Sequence, residues 1–299
     1  MKTRRFWRWL GRIAAELLCG PVGKLSPKSQ QVLARLIAKV LWSVHRRRRA
    51  LMLQLMRPAL GENFSEDQLL SLRKAAYLHM GRTLVEFLRL HSLTPEDLPR
   101  LIRIEGEENL RRALDAGRGV IILTGHLGNW ELLGARLAQI CGPGRFHVIA
   151  QPQRDERLTR LMDSVRLSHG VNVISRGYAA REALRVLRRG EVLGLLIDVD
   201  MKERGIFVDF LGRPASTAAG PAAFALHTGA VVLPVFDFRQ PDGTHLAQVL
   251  EPVELIKTGK MEEDLRENTA RFSKIIEAQV RARPEQWIWL PDRWRTAPP

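Results

Sequence analysis

The stretch Val120-Ile121-Ile122-Leu123-Thr124-Gly125-His126-Leu127-Gly128-Asn129-Trp130-Glu131 passes from an apolar run through a glycine-bounded turn into an amphipathic segment, Leu132 to Ile140. A β-branched apolar run before glycine predicts a buried strand, and the 3.6-residue pattern after it predicts a helix. Asn129 is placed as the N-cap of that helix, with Glu131 in its first turn. His126 therefore stands at the carboxyl end of a strand, with a carboxylate five residues on. Within one continuous helix the two side chains would lie on different faces, but the turn between them lets them meet. The arrangement suits a histidine that takes a proton from a hydroxyl while a carboxylate fixes its tautomer and stabilises the imidazolium. The alternative is an ordinary turn histidine. A zinc-protease helix would need His-Glu-x-x-His, a nucleophile elbow Gly-x-Ser-x-Gly and a phosphate loop a lysine. None of these is present here.

Outward from this stretch, short apolar runs alternate with helical patterns. Strands are predicted at Leu101–Ile104, Val120–Leu123, Phe146–Ala150, Val171–Ile174, Val192–Ile197, Val231–Phe238 and Ala247–Leu250. Helices are predicted at Glu107–Ala116, Trp130–Ile140, Asp155–His169, Ala179–Arg189, Ala219–His227 and Glu262–Ala282. Such alternation predicts an α/β fold, a mostly parallel mixed sheet covered by helices on both faces. In such sheets sites form beyond the carboxyl ends of strands, where His126 falls. Residues 1 to about 95 read instead as helical, over Arg4–Cys19, Ser29–Met56 and Asp67–Leu90, with Thr94-Pro95 as a hinge. Two units are expected: a helical, basic, membrane-associating segment, 1–95, and an α/β catalytic domain, 96–299.

Charge separates the same two units. Residues 1–50 carry 13 lysines and arginines against the single acid Glu16, whereas the remaining 34 basic and 31 acidic side chains nearly cancel. Phe6, Trp7, Trp9 and Trp42 lie among those cations, the composition of a segment that settles at an anionic membrane surface. Met1 to Gly20 begins like a secretory leader, but Glu16 interrupts its apolar part and the bulky Leu18 stands where a small residue is wanted. No run reaches the ~18–20 apolar residues of a spanning helix, so the segment is expected to lie on the membrane or dip into it. Nucleic-acid binding is disfavoured because no nucleic-acid module follows the basic arm. Two distant cysteines, Cys19 and Cys141, form neither a disulfide framework nor a zinc site and place the catalytic part in a reducing compartment.

Further candidate residues also sit beyond strands. Asp198-Val199-Asp200 follows Val192–Ile197, its acids suited to acceptor positioning; no ligand cluster for a metal accompanies them. Gly205 to Ala215, with Arg213, reads as an apolar hairpin or the wall of an acyl-chain site. Gln286 to Trp294 carries three of the seven tryptophans, as a core plug or a membrane-facing lip.

Together these segments resemble the late acyltransferases of lipid A biosynthesis, the lauroyl/myristoyl acyltransferase family of the lysophospholipid acyltransferase-like superfamily, defined by a His-x4-acid motif. The resemblance rests on Gly125 to Glu131, Arg166 with Gly170, Gly205 to Ala215 with Thr217 and Gly220-Pro221-Ala222, Leu233-Pro234 with Arg239, and Pro284-Glu285-Gln286-Trp287-Ile288-Trp289. Asp198-Val199-Asp200 departs from the family's Asp-Gln-Asp, Leu290-Pro291 from a histidine before Arg-Trp, and residues 151–155 lack an Asn-Pro. These departures bear on the acceptor. The resemblance implies transfer of an acyl chain from an acyl thioester, that of acyl carrier protein, to a hydroxyl of an anionic glycolipid, without metal or cofactor. His126 is the expected base and Glu131 its orienting acid. Gly128, Asn129, Arg166, Asp198, Asp200, Arg213 and Arg239 are the expected substrate-binding residues, with Arg166 neutralising phosphate or a developing oxyanion. The expected location is the cytoplasmic face of the inner membrane, peripheral or monotopic. Another saccharolipid or a lysophospholipid is the alternative acceptor, and a non-catalytic membrane-surface binding protein the alternative of a different class.

Overall fold

The computed structural model describes residues 21–61, 63–175 and 179–298. The predicted helix Arg4–Cys19 lies outside them. All seven predicted strands form and join one sheet: β1 (Ile102–Glu105), β2 (Val120–Thr124), β3 (Phe146–Ala150), β4 (Val171–Ser175), β5 (Val192–Leu196), β8 (Val231–Arg239) and β9 (His245–Val249). A separate hairpin supplies β6 (Ile206–Phe210) and β7 (Arg213–Thr217). The order is β1-β9-β8-β2-β5-β3-β4, and every pair is parallel except β8–β9. The middle strand β2 is buried at every position, so its run is apolar rather than alternating. The α/β class and the mostly parallel mixed sheet are as the sequence predicts.

Three N-terminal helices, α1 (Pro27–Val44), α2 (Arg46–Leu60) and α3 (Glu66–Leu90), precede the sheet. The continuous helix expected over Ser29–Met56 is two helices, because His45 leaves helical geometry (φ −93°, ψ 35°). Pro58 lies inside α2 close to its end. Ser65 caps α3, its hydroxyl accepting from Gln68 N–H while the Gln68 side chain accepts from Ser65 N–H. At Gly81 a side chain would meet the Ala34 carbonyl at 2.4 Å, so glycine lets α1 and α3 pack backbone to backbone. Met52, Met56 and Tyr77 of these helices share a hydrophobic cluster with β2, β5 and the C-terminal tryptophans.

The sheet is then flanked by a short helix α4 (Asp97–Leu101), α5 (Glu107–Asp115), α6 (Trp130–Cys141), α7 (Glu156–Ser168), α8 (Ala179–Arg188), α9 (Gly220–Thr228) and α10 (Met261–Ala282). The β6–β7 hairpin turns through Leu211 (φ 54°) and Gly212 (φ 77°), the two positive-φ positions of a type I′ turn. Val208, Phe210, Leu211 and Ala215 are buried, and Phe210 packs against Trp287 and Trp294. These hairpin residues are therefore core, not an open acyl-chain wall. The C-terminal tail is likewise a core plug, with Trp287 and Trp289 only 2 % and 1 % exposed; burying each such ring contributes roughly 2–3 kcal/mol. No described helix is long and apolar enough to cross a membrane.

Candidate active site

Strand register builds the site. β2 lies between β5 and β8 and runs parallel to both, with Thr124 opposite Leu196 and Leu123 opposite Pro234. His126, two residues past Thr124, therefore emerges level with Asp198, two residues past Leu196. On the other side the longer β8 carries Asp237 alongside the same loop. The loop is pinned at both ends: Asp198 Oδ2 accepts from His126 N–H (2.6 Å) and Asp237 Oδ2 from Asn129 N–H (2.8 Å). Between them, Gly128 N–H donates to the Gln286 carbonyl and Ile288 N–H to the His126 carbonyl. Gly128 is required here, since it has φ +57° and a Cβ would lie 2.0 Å from the Asp237 carbonyl oxygen.

The His126 ring is half-buried, 29 % exposed, beside the edge-packed Trp130 (4.9 Å between ring centroids). Its Nδ1 lies 2.8 Å from Asp198 Oδ1. Asp198 is buried and ionised, an acceptor only, so Nδ1 carries the hydrogen and Nε2 presents its lone pair. Nε2 has no hydrogen-bond partner among the described residues. Burial opposes a charge on this ring, but Asp198, its hydrogen bond and the more distant charge of Glu131 outweigh that, so the imidazole is more basic than an ordinary histidine. Burial likewise opposes ionisation of Asp198, yet His126 and the Trp287 indole hold its carboxyl below the usual range.

The carboxylate on the ring is thus Asp198 rather than Glu131, a correction to the sequence expectation. Glu131 sits in the first turn of α6, where Arg166 of α7 takes both its oxygens, Nε to Oε2 at 2.9 Å and Nη2 to Oε1 at 2.6 Å. Asp163 takes a third Arg166 donor. A carboxylate gripped bidentately by a guanidinium does not turn to the imidazole and acts on it only through its charge.

A second, sealed network lies under the other end of the loop. Asp237 Oδ2 also pairs with His245 Nδ1 (2.7 Å), and His245 Nε2 lies 3.4 Å from Glu86 Oε1. Arg239 donates to both oxygens of Glu86 and to His79 Nδ1. Thr83 accepts from Arg239 and donates to the Gly128 carbonyl. Burial opposes charge on His245, but Asp237 and Glu86 raise its pKa to about 9. His79, buried beside Arg239, is pushed well below the ordinary value and is neutral. Arg239 and Asn129 are therefore structural rather than substrate-binding: Arg239 is consumed by this cluster, and Asn129 is fully buried. The Asn129 side chain caps α6 by accepting from Glu131 and Leu132 N–H and donates to Glu86. Gly128 is buried backbone with both its polar groups engaged, again not a substrate contact.

Asp200 accepts from Lys202 N–H and the Thr296 hydroxyl, and Arg213 lies over the Trp294 ring. Neither touches His126. His79, Glu86, Asp237 and His245 were missed by sequence reasoning. Their signals were an aspartate inside an otherwise apolar strand and a His79, Thr83, Glu86 spacing that puts three polar groups on one helix face. Among the described residues no cluster of His, Cys, Asp and Glu is placed to hold a metal ion.

Known proteins are similar to this chain in sequence. Residues 1–296 match the family described as bacterial lipid A biosynthesis acyltransferase. A phosphatidylinositol mannoside acyltransferase of Mycolicibacterium smegmatis is 28 % identical over 232 residues, 76 % of this chain and 73 % of that protein. Two proteins of Escherichia coli are each 27 % identical: a lipid A biosynthesis palmitoleoyltransferase over 198 residues (65 % of this chain, 62 % of that one) and a lipid A biosynthesis lauroyltransferase over 203 (67 % and 64 %). With a family match across almost its whole length, the chain belongs to the bacterial lipid A biosynthesis acyltransferase family.

Proposed function

We propose that the chain moves a fatty acyl group from an acyl thioester, that of acyl carrier protein, to a hydroxyl of a lipid A precursor or a similar anionic glycolipid. One observation carries this reading: His126 is paired through Nδ1 to a buried carboxylate while Nε2 stays unpartnered, in a chain of an acyltransferase family. Nε2 takes the proton of the acceptor hydroxyl as its oxygen attacks the thioester carbonyl. The new C–O bond forms, the C–S bond breaks, and the imidazolium returns its proton to the departing thiolate. Asp198 stabilises the imidazolium throughout, and no enzyme nucleophile is needed. General-base catalysis of this kind contributes about 10²–10⁴-fold.

Every N–H of the loop from His126 to Asn129 is already committed, to Asp198, Gly125, Gln286 and Asp237. The loop therefore offers no backbone donors to the oxyanion. Arg166, which keeps N–H groups beyond its bonds to Glu131 and Asp163, is the cation assigned to that charge or to an acceptor phosphate. An anionic glycolipid as acceptor suits relatives named for phosphatidylinositol mannoside as well as for lipid A.

The same reading places the chain on the cytoplasmic face of the inner membrane. Val32, Leu36, Val40 and Val44 form an exposed apolar row along α1, flanked by Lys28, Arg35 and Lys39, the composition of a helix face that lies in a headgroup layer. Flotation with anionic vesicles is expected to lose the protein when Leu36 and Val40 become aspartate; undiminished flotation removes α1 as the contact. For catalysis, purified protein given an acyl-carrier-protein thioester and a glycolipid acceptor should yield an acceptor heavier by one acyl chain. Turnover of no acyl thioester would leave the membrane-binding alternative. Transfer to lysophospholipid alone would move the acceptor to that class.

A further inference from the structure

We propose that Trp287 is a positioning residue of the general base: its indole N–H holds Asp198 against His126 and draws negative charge out of that carboxylate. The inference rests on His126 and Asp198 acting as proposed above. Asp198 Oδ1 faces the imidazole, while Oδ2 accepts from the His126 main-chain N–H (2.6 Å) and from Trp287 Nε1 (2.8 Å). The Asp198 side chain is 1 % exposed, so solvent does not share this work. Among the described residues, Trp287 is the one hydrogen-bond donor to Asp198 that does not belong to His126 itself.

Trp287 is itself held from two directions. Its backbone forms an isolated β-bridge with Leu127, flanked by the Gly128–Gln286 and Ile288–His126 hydrogen bonds. Its ring packs edge-on against Trp289 (4.8 Å) and beside Phe210 (5.5 Å). A plug needs only an aromatic ring, which phenylalanine would supply; the indole nitrogen is what reaches Asp198. The neighbouring tryptophans spend theirs elsewhere, Trp289 on the Pro284 carbonyl and Trp294 on the Phe210 carbonyl.

The charges around the pair explain why a neutral donor matters. Asp198 beyond β5 and Glu131 on α6 both favour the protonated ring. Arg166 on α7 offsets Glu131, and Arg293 in the tail feels Asp198 and Asp200. A stronger pull from Asp198 would keep the imidazole protonated and useless as a base near neutral pH. The Trp287 N–H spreads part of the carboxylate's charge without adding any of its own.

The test is Trp287→Phe beside Trp289→Phe, in the full chain. Trp287→Phe is expected to lower kcat about ten-fold, with KM for donor and acceptor within about two-fold of the parent. The acidic limb of its pH–rate profile should rise by about half a unit to one unit, and Trp289→Phe should leave that limb in place. NMR titration of the His126 ring without substrate should show the same upward shift, so this readout stands even if the chain transfers no acyl group. If Trp287→Phe does not fold, benzothienylalanine at position 287, with sulfur in place of the N–H, removes the donor at constant shape. An unchanged or lower ring pKa, or the same change from Trp289→Phe, overturns the proposal.

Discussion

Two histidine–aspartate pairs flank one loop, and they differ in what surrounds them. His126–Asp198 and His245–Asp237 have nearly the same separation, 2.8 and 2.7 Å, and each aspartate also accepts a backbone N–H from the loop. His126 keeps 29 % of its side chain exposed and an unpartnered Nε2; His245 is fully buried, with Glu86 at its far nitrogen. The first pair can pass a proton to a substrate. The second can only hold its charge, and through Asn129 N–H it holds the loop. The same pairing thus suits one histidine to the base role proposed for it and the other to a rivet, according to whether one ring nitrogen reaches solvent.

Substitutions that treat the pairs alike should separate them. The largest effect is expected from His126→Ala, which should lower kcat about 10²–10⁴-fold with an unchanged thermal melt; retained transfer would end the base assignment. Asp237→Ala should do the reverse, costing about 3–5 kcal/mol in denaturant titrations because it strands a buried cation. If it instead abolished activity at full stability, the rivet would be part of the chemistry.

The pH responses should differ as well. The pKa of His245 is raised on folding to about 9, so its stabilisation is complete below about pH 6.5, the unfolded value, and is lost as pH rises through about 9. Melting temperatures should fall across that window, and His245→Gln should flatten the fall. The ring of His126 is also raised, so the acidic limb of kcat/KM should lie above pH 6.5, the ordinary histidine value; a limb at or below it would break the pairing with Asp198. The smallest effect is expected from Asn129→Ser. It keeps a side-chain oxygen to cap α6 and loses the amide donor to Glu86 without adding charge, costing about 1–3 kcal/mol in denaturant titrations. No loss would remove Asn129 from the rivet.

The comparison also shows what the sequence made legible. Each strand of the sheet announced itself as an apolar run, and His126 was found from the strand–turn–helix around it. Which carboxylate meets it was not legible, because proximity along the chain favoured Glu131 while strand order chose Asp198. That choice depends on β5 lying beside β2 in register, and no local pattern encodes it. Arg166 grips Glu131 with N–H groups to spare, a pairing no local pattern shows; Arg239 is consumed by a buried cluster, and a buried arginine and an exposed one read alike in sequence. The break at His45 was also invisible, since it comes between two good helical stretches without glycine or proline.

The backbone partners of the loop after β2 come from residues 286–288, which follow α10 and lie far along the sequence from β2. During synthesis the loop therefore lacks these two backbone partners until residues 286–288 have been made. Until that segment closes over the loop, His126 would be in place without the full set of bonds that orients it.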